Sequence, residues 1–560
     1  MSAILLMVTG LTAFTLGYLL YSRFISERVF QLSADFQTPA HAKEDGVDFV
    51  PTNKWVLWGH HFTSVAGAAP IVGPAIAVIW GWLPAFLWVT LGTVFFAGIH
   101  DAGALWASVR SEGKSIGALT EAVVGKRARA LFMIVIFLLL LMVNAVFAII
   151  IAGLFVSFPT SVVPAWFVIG VAITIGYLLY RKGVPLLWPS IIGVALLYGS
   201  MFLGVLYPLS LPETMFGLGA PGLWVIILFA YASVASLLPV WLLLQPRDYI
   251  NGLQLFIGLG IFFIAVLFSN PTVVAPAFNT SLPDDVPPII PLLFVTIACG
   301  AISGFHGLVS SGTTSKQINN EQDVRFVGFL GTVGEGALAL AAIIACTAGF
   351  ATEVDWHGYY TSFGSGGLEA FVQGGGGIFA TGLGLPVEFG KTLLAVMAVL
   401  FAATTMDTGV RLQRMIVQEW GTIYNIAPLT GKGLSTVLAV GTCLVLAFGT
   451  GGGAGTGGLV IWPLFGTTNQ LLAGLTLLVL SVFLLKKGRP TVFTLVPMVF
   501  VLGMTVLALL WQLRQFWGLG TAQGYFLVGL DVVILAVTIW VALESLGALA
   551  RARGPQEGVT

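Results

Sequence analysis

Apolar runs of roughly 20 residues recur along the whole of this chain, and no other feature limits its fold as strongly. Hydrophobic residues fill 57% of the 560 positions, whereas charged residues fill only 9%. A soluble protein would carry about 25% charged residues. Because each run is long enough to cross a bilayer as a helix, we predict an all-α polytopic membrane protein.

Hydropathy predicts about fifteen crossings, with boundaries good to roughly two to four residues. The predicted helices lie at 2–22, 55–80, 83–109, 130–156, 162–180, 185–207, 222–244, 252–269, 288–310, 326–350, 388–409, 433–449, 457–485, 491–512 and 524–548. With the N-terminus outside and the C-terminus inside, only Lys391 and Arg514 of the 24 Lys and Arg fall in external loops, as the positive-inside rule requires. The glycine-rich external stretch Gly364–Gly384 is predicted to be a loop or lid without regular structure.

Several function classes are excluded by what the sequence does not contain. The net charge is zero and no basic tail is present, so no nucleic-acid partner is predicted. The three cysteines are far apart and lie in apolar runs, which predicts packing residues and no metal site. Phosphate loops, HExxH motifs and Ser/His/Asp elbows are missing as well. We therefore expect no enzyme activity and no cofactor, with the lipid bilayer and a small-molecule substrate as partners and the oligomeric state open.

The segment "GHHFTSVAGAAPIVGP" (59–74) contains residues that weaken a helix inside a predicted span. Its part SVAGAAP (64–70) matches SVASLLP (233–239) in helix 7, five helices later and therefore crossing in the opposite direction. Paired interrupted helices of opposite direction are typical of transporters with inverted repeats. We predict breaks in helices 2 and 7, and a 5+5 repeat of helices 2–6 and 7–11. The alternative is a pair of kinked packing helices with small faces.

These repeats predict the division of the chain and the place of the substrate. The expected parts are 1–54 with the first helix, repeats at 55–208 and 209–415, and accessory helices at 416–560. An unwound turn frees backbone amides at a helix N-terminus, and these suit a carboxylate. The substrate-binding candidates are His61, Ser64, Gly67, Ala68, Pro70, Ser233, Ser236 and His306.

Ionisable and hydroxyl residues inside the spans are the candidates for ion coupling, because charge within a bilayer is costly. Asp101 and Glu335 are predicted to carry the coupling proton. The hydroxyls of Ser310, Ser311 and Thr313 would form a cation site if sodium were used instead. Four further residues are assigned to structural ion pairs, with Asp407 and Arg411 paired at i and i+4: Asp407, Arg411, Arg247 and Asp248.

Six stretches in this order along the chain resemble the carbon starvation protein A family. They are "GHHFTSVAGAAPIVGP", "GWLPAFLW", "LPVWLLLQPRDYIN", "GAISGFHGLVSSGTTSKQI", "TTMDTGVRLQR" and "WPLFGTTNQLLAG". The resemblance implies an inner-membrane secondary transporter with a leucine-transporter-like core, one helix before it and about four after it. It also implies uptake of peptides or pyruvate, with proton coupling in the pyruvate branch. The chain departs from the family pattern at Ala69, where the family has glycine, and at Ser315, where it has proline.

The leading expectation is therefore a proton- or cation-coupled importer of small carboxylate-bearing nutrients in the inner membrane of a bacterium or archaeon. One alternative is a membrane redox protein that uses His60, His61, His100 and His306 as haem or metal ligands. Another is a nutrient sensor that binds its ligand without carrying it.

Overall fold

The computed structural model describes residues 1–46, 48–185, 187–239, 241–364, 367–451 and 457–553. Most of them lie in helices, which satisfy their own backbone hydrogen bonds and so can enter a bilayer. In chain order the helices are α1 (Ala3–Phe30), α2 (Pro39–Ala42), α3 (Lys54–Val65), α4 (Ala69–Trp80), α5 (Trp82–Val109), α6 (Ile116–Val123), α7 (Lys126–Ser157), α8 (Pro159–Lys182), α9 (Leu187–Leu206), α10 (Ala220–Leu237), α11 (Leu244–Ser269), α12 (Ile289–Thr296), α13 (Gly304–Gly312), α14 (Asp323–Ala348), α15 (Glu353–Tyr359), α16 (Gly367–Leu383), α17 (Val387–Ile423), α18 (Ala427–Thr430), α19 (Lys432–Gly449), α20 (Gly457–Lys486), α21 (Val492–Gly518) and α22 (Ala522–Arg553). A two-stranded antiparallel hairpin, β1 (Thr214–Met215) and β2 (Leu218–Gly219), precedes α10.

Thirteen of the described helices are long and apolar enough to cross a membrane. The pair α3 and α4, bent by 52° at the break between them, makes a fourteenth crossing if it is counted as one span. The predicted span at 288–310 falls instead on two short helices, α12 and α13. The chain is thus a multi-pass membrane protein, while helix length does not confirm the count of fifteen.

The predicted break in the first of the two matched helices is confirmed. Helix α3 ends at Val65 and α4 begins at Ala69, with Pro70 in the first turn of α4. Proline is tolerated in a first turn, because its missing N–H would have no intrahelical partner there.

The predicted break in the second matched helix is wrong. Helix α10 is one continuous helix that ends at Leu237, and Leu238 is extended, as a residue before proline tends to be. Pro239 therefore ends a helix and does not interrupt one. The second interrupted helix is instead α12–α13, whose connection includes Gly300 at a φ of +88°. That conformation favours glycine, so a glycine and no proline marks this break.

The glycine-rich stretch predicted as a loop forms helix α16 from Gly367 to Leu383. A Cβ on Gly374 would collide with the carbonyl oxygen of Ala345 in α14, and one on Gly376 would lie 2.7 Å from Cγ of Lys391 in α17. These glycines thus let α16 pack closely against two neighbouring helices, as small residues do in membrane helices. Ser365 and Gly366, within the same predicted loop, lie outside the described residues.

The packing around the interrupted helices is reciprocal. Helix α3, the first half of the first interrupted helix, packs on α14, which follows the second one. Helix α13, the second half of the second interrupted helix, packs on α5, which follows the first one. The long helix α7 lies against both α17 and α20 at the centre. Such exchange of neighbours is what two inverted repeats produce.

Candidate functional site

The first break, between α3 and α4, leaves backbone amides without partners. Ala68 is the N-cap residue of α4 and has no side-chain oxygen to cap the helix. No hydrogen bond from the Ala68 amide is found within the described part of the chain. The amide of Ala69, in the first turn of α4, cannot bond within its own helix. This helix end therefore presents N–H groups and the positive end of the helix dipole.

Gly67 places this helix end against the two central helices α7 and α17. A Cβ at Gly67 would lie 2.8 Å from Oγ1 of Thr405 and 3.3 Å from Cε2 of Phe147. Thr405 and Phe147 are both buried. The amides, one hydroxyl and one aromatic ring thus surround the break, a combination that suits a small organic anion.

The second break, between α12 and α13, differs because side chains from α5 and α20 satisfy its backbone groups. Trp88 Nε1 donates to Ile297 O (3.1 Å), Trp462 Nε1 to Thr296 O (3.2 Å), Thr93 Oγ1 to Gly300 O (3.0 Å), and the Phe305 amide donates to Asn469 Oδ1 (3.0 Å). Buried backbone groups are costly when unpaired, so these contacts hold the break in its present shape. Each of the three carbonyls thus has one of its two lone pairs occupied.

Four ionisable side chains form a buried chain beside the second break. Asp101 accepts hydrogen bonds from His100 Nδ1 (2.6 Å) and from His306 Nδ1 (2.7 Å). His306 Nε2 lies 3.1 Å from Oε2 of Glu335. None of the four residues is more than 2% exposed. The structure thus brings together both acids predicted for proton coupling and joins them through a histidine predicted to bind substrate.

Three helices hold this chain of residues together. His306 lies in the first turn of α13, directly after the break, and Glu335 lies in the middle of α14. Asp101 lies in α5, shortly after a π-helical turn at Thr93–Ala97. Single π-helical turns occur often at functional sites. A shift of α13 relative to α5 or α14 would change the two bonds of His306.

The number of protons in this group follows from its geometry. A hydrogen bond between His306 and each of two carboxylates needs two protons, either both on the ring nitrogens or one on the ring and one on an acid. Removal of one proton leaves one bond without a donor. Because none of these side chains faces open water, water cannot replace the lost bond. Loss of that proton would therefore favour separation of His306 from one of the two acids.

His61, predicted to contact the substrate, lies near this group and not at the first break. Its Nδ1 is 2.9 Å from Oγ1 of Thr314, and its Nε2 has no partner among the described residues. A Cβ on Gly331 would be 3.1 Å from that Nε2, and Gly331 lies one turn before Glu335. His61 therefore lies between α13 and the face of α14 that bears Glu335.

The other predicted substrate residues divide between two places. Ala68 and Pro70 belong to the first break and are buried, as is Gly67. Ser64 lies in the last turn of α3 and donates to the carbonyl of His60. Ser233 and Ser236 lie in the uninterrupted helix α10 and donate to carbonyls of that same helix. Because α10 is not interrupted at these positions, it offers no unpaired backbone amides or carbonyls that could bind a substrate together with the two serines.

The hydroxyls predicted as a cation site are mostly engaged within α13. Ser311 donates to Gly307 O and Thr313 to Val309 O, each one turn back along the helix. Ser310 is buried and its Oγ has no partner in the described chain.

The predicted ion pair between Asp407 and Arg411 is wrong. Asp407 pairs with Arg247 from α11 and accepts from the hydroxyl of Tyr231 (2.9 Å). Arg411 donates to the carbonyl oxygen of Leu238 (2.5 Å), just after the C-terminus of α10. Carbonyls at a helix C-terminus attract cations, and a fully buried Arg247 requires an acid, so the cross-helix pair prevails.

Sequence reasoning did not single out Thr405, Phe147, Trp88 or Thr93. Thr405 and Trp88 carried a signal, because they lie in the motifs "TTMDTGVRLQR" and "GWLPAFLW". Phe147 and Thr93 are ordinary members of apolar spans, and only tertiary contacts show that they line a break.

Comparison with known proteins shows the family of this chain. The profile of the family described as carbon starvation protein CstA matches residues 2–354 and 358–508. The peptide transporter CstA of Campylobacter jejuni is 35% identical over 90% of this chain and 79% of its own. The pyruvate/proton symporter BtsT of Escherichia coli is 30% identical over 91% of this chain and 81% of its own. A solved manganese transporter from Eremococcus coleocola aligns over 90% of this chain and 99% of its own, at 14% identity and a TM-score of 0.48. The family match covers nearly the whole chain, and the protein therefore belongs to the carbon starvation CstA family.

Proposed function

We propose that this protein is a proton-coupled secondary transporter that imports a small carboxylate-bearing nutrient, a peptide or pyruvate. The observation that carries the proposal is His306 held between Asp101 and Glu335 beside the second interrupted helix. Buried acids and histidines in membrane helices serve as proton relays in pumps and transporters. The names of the relatives supply the two substrate classes.

The first break is the proposed substrate site. The unpartnered amide of Ala68 and the hydroxyl of Thr405 would bind the carboxylate, and Phe147 would cover the apolar part. This site lies between α4, α7 and α17. It replaces the predicted site that included Ser233 and Ser236.

The proposed coupling ion is the proton. Transfer of a proton out of the group of Asp101, His306 and Glu335 would release α13 from α5 or α14, and rebinding would restore the contact. A sodium version that uses Ser310, Ser311 and Thr313 stays the alternative, because a hydroxyl that donates its proton to a backbone carbonyl keeps its oxygen lone pairs for a cation. We propose no cofactor and no enzyme activity.

The proposed location is the inner, cytoplasmic membrane, with the N-terminus outside and the C-terminus inside, as the distribution of Lys and Arg favours. For the domains, the position of the second break favours repeats that start at Lys54 and Ile289, with α8 and α9 as an insertion. The boundaries 55–208 and 209–415 from hydropathy stay a prediction.

Transport accounts for the interrupted helices better than the redox or sensor alternatives do. The test is uptake of labelled pyruvate, dipeptide or tripeptide into proteoliposomes, with and without a pH gradient. Gradient-driven accumulation of any one of them supports the proposal. Binding of these compounds without any flux would favour a sensor, and an absorption band from a bound haem or metal would favour a redox protein.

A further inference from the structure

A cavity of about 460 Å³ lies between α3 and α11, at the end of the bundle where α3 begins. Five aromatic side chains lie in its walls: Trp55, Trp58, Tyr180, Tyr249 and Phe256. The Trp58 and Phe256 rings pack 5.0 Å apart between centroids. The volume falls within the range of about 300–1,000 Å³ that small-molecule sites occupy.

One acid, Asp248, lies in the wall of this cavity. Asp248 is 8% exposed, and its Oδ1 has no hydrogen-bond partner anywhere in the described chain. Nη1 of the neighbouring Arg247 is engaged by Asp407 and Tyr231, whereas its Nε and Nη2 have no hydrogen-bond partner in the described chain. Among the described residues no Lys or Arg lines the cavity, and His60 is the one imidazole there. A buried carboxylate with an unpaired oxygen favours a cationic partner.

We propose that this cavity is a binding site for a small organic ammonium with an aromatic or aliphatic body. The ammonium would pair with Asp248, and the tryptophan and tyrosine faces would attract the same charge through cation–π contact. The apolar body would fill the space beside Phe256. An anion would find no cationic side chain of Lys or Arg in the walls.

This site is separate from the proposed substrate site. The cavity touches α3 at Gly59, His60 and Thr63 and does not include Gly67, Thr405 or Phe147. An occupant would lie between α3 and α11 and would hold these two helices apart. It would therefore stabilise the spacing seen here and restrain α3, the first half of the interrupted helix.

The experiment measures binding by titration calorimetry on the purified full-length protein with three probes of matched shape. The probes are 2-phenylethylamine, 2-phenylethanol and 3-phenylpropionate, at neutral pH. We expect the amine to bind at least about tenfold more tightly than the alcohol, which corresponds to one charge-assisted contact. The acid should bind most weakly. Equal affinity for amine and alcohol, or tighter binding of the acid, would overturn the proposal.

A variant locates the site. Asp248→Asn should lower the affinity for the amine about tenfold or more and leave that for the alcohol unchanged. Unchanged amine affinity in a folded Asp248→Asn protein would place the site elsewhere and refute the assignment. If that variant does not fold, the comparison of the three probes on the parent protein still decides. Because binding is measured without any flux, the result does not depend on the proposed transport function.

Discussion

Gly67 is the position where the proposed substrate site tolerates least change. Gly67→Ala would place a Cβ 2.8 Å from Oγ1 of Thr405 and 3.3 Å from Cε2 of Phe147, and the first contact is closer than real Cβ atoms show. Relief requires movement of a buried threonine, and overpacking of this kind costs about 1–3 kcal/mol. If the substrate occupies the same space, the same penalty raises the free energy of the substrate-bound protein. Each 1.4 kcal/mol of that increase lowers the uptake rate about tenfold.

The assay compares initial uptake rates and melting temperatures of purified Gly67→Ala with those of Gly153→Ala. A Cβ at Gly153, in α7, meets no atom within 4 Å, so this control should match the parent in both measurements. Gly67→Ala should lose about ten- to a hundredfold in uptake rate. In a double variant, Thr405→Ala removes the close contact, so the melting temperature should recover while uptake stays low. Parental uptake by Gly67→Ala would refute the placement of the substrate at this break.

Three further predictions concern the contacts that hold the site in place. Asn469→Ala leaves the buried Phe305 amide without its acceptor and should lower the free energy of unfolding by about 1–3 kcal/mol. The control Thr468→Val, whose hydroxyl donates to a carbonyl of its own helix, should change that free energy little. Equal melting temperatures of the two variants would contradict the role of Asn469. Gly374→Ala should destabilise the folded protein by about 1–3 kcal/mol, because the new Cβ would collide with the carbonyl oxygen of Ala345. The control Gly358→Ala, whose Cβ would have no atom within 4 Å, should keep the parental melting temperature in thermal unfolding. Glu321→Ala removes a buried acid that pairs with the partly exposed Arg110 and should cost about 1.5–3 kcal/mol. Glu27→Ala, in an exposed pair with Arg23, should leave the melting temperature unchanged, and the reverse order would show that burial does not set the effect.

The sequence predicted the helices and the first break because both depend on local signals. Apolar runs mark spans, and Pro70 with Gly67 marks an interruption. The second break depends on Gly300 in a left-handed conformation. One glycine among 69 carries no such signal, so the nearest proline match, at Pro239, was misleading.

The buried acids could also be predicted, because charge in a bilayer is costly enough to require a reason. Their connection could not, since Asp101 and His306 are separated by 205 positions and meet only through packing of α5 on α13. Helical spacing likewise favoured Asp407 with Arg411, and the demand of buried Arg247 for an acid overrode it.

The most direct test of the account measures two fluxes in proteoliposomes that contain Glu335→Gln or Asp101→Asn. Glutamine and asparagine keep the size of the side chains and an oxygen that can accept from His306, so the helices should still pack. Accumulation against a gradient requires proton movement, whereas exchange of labelled for unlabelled substrate does not. We predict that both variants lose proton-driven accumulation and keep exchange at near the parental rate. If both variants still concentrate substrate at the parental rate, neither acid couples the proton and the central claim is wrong.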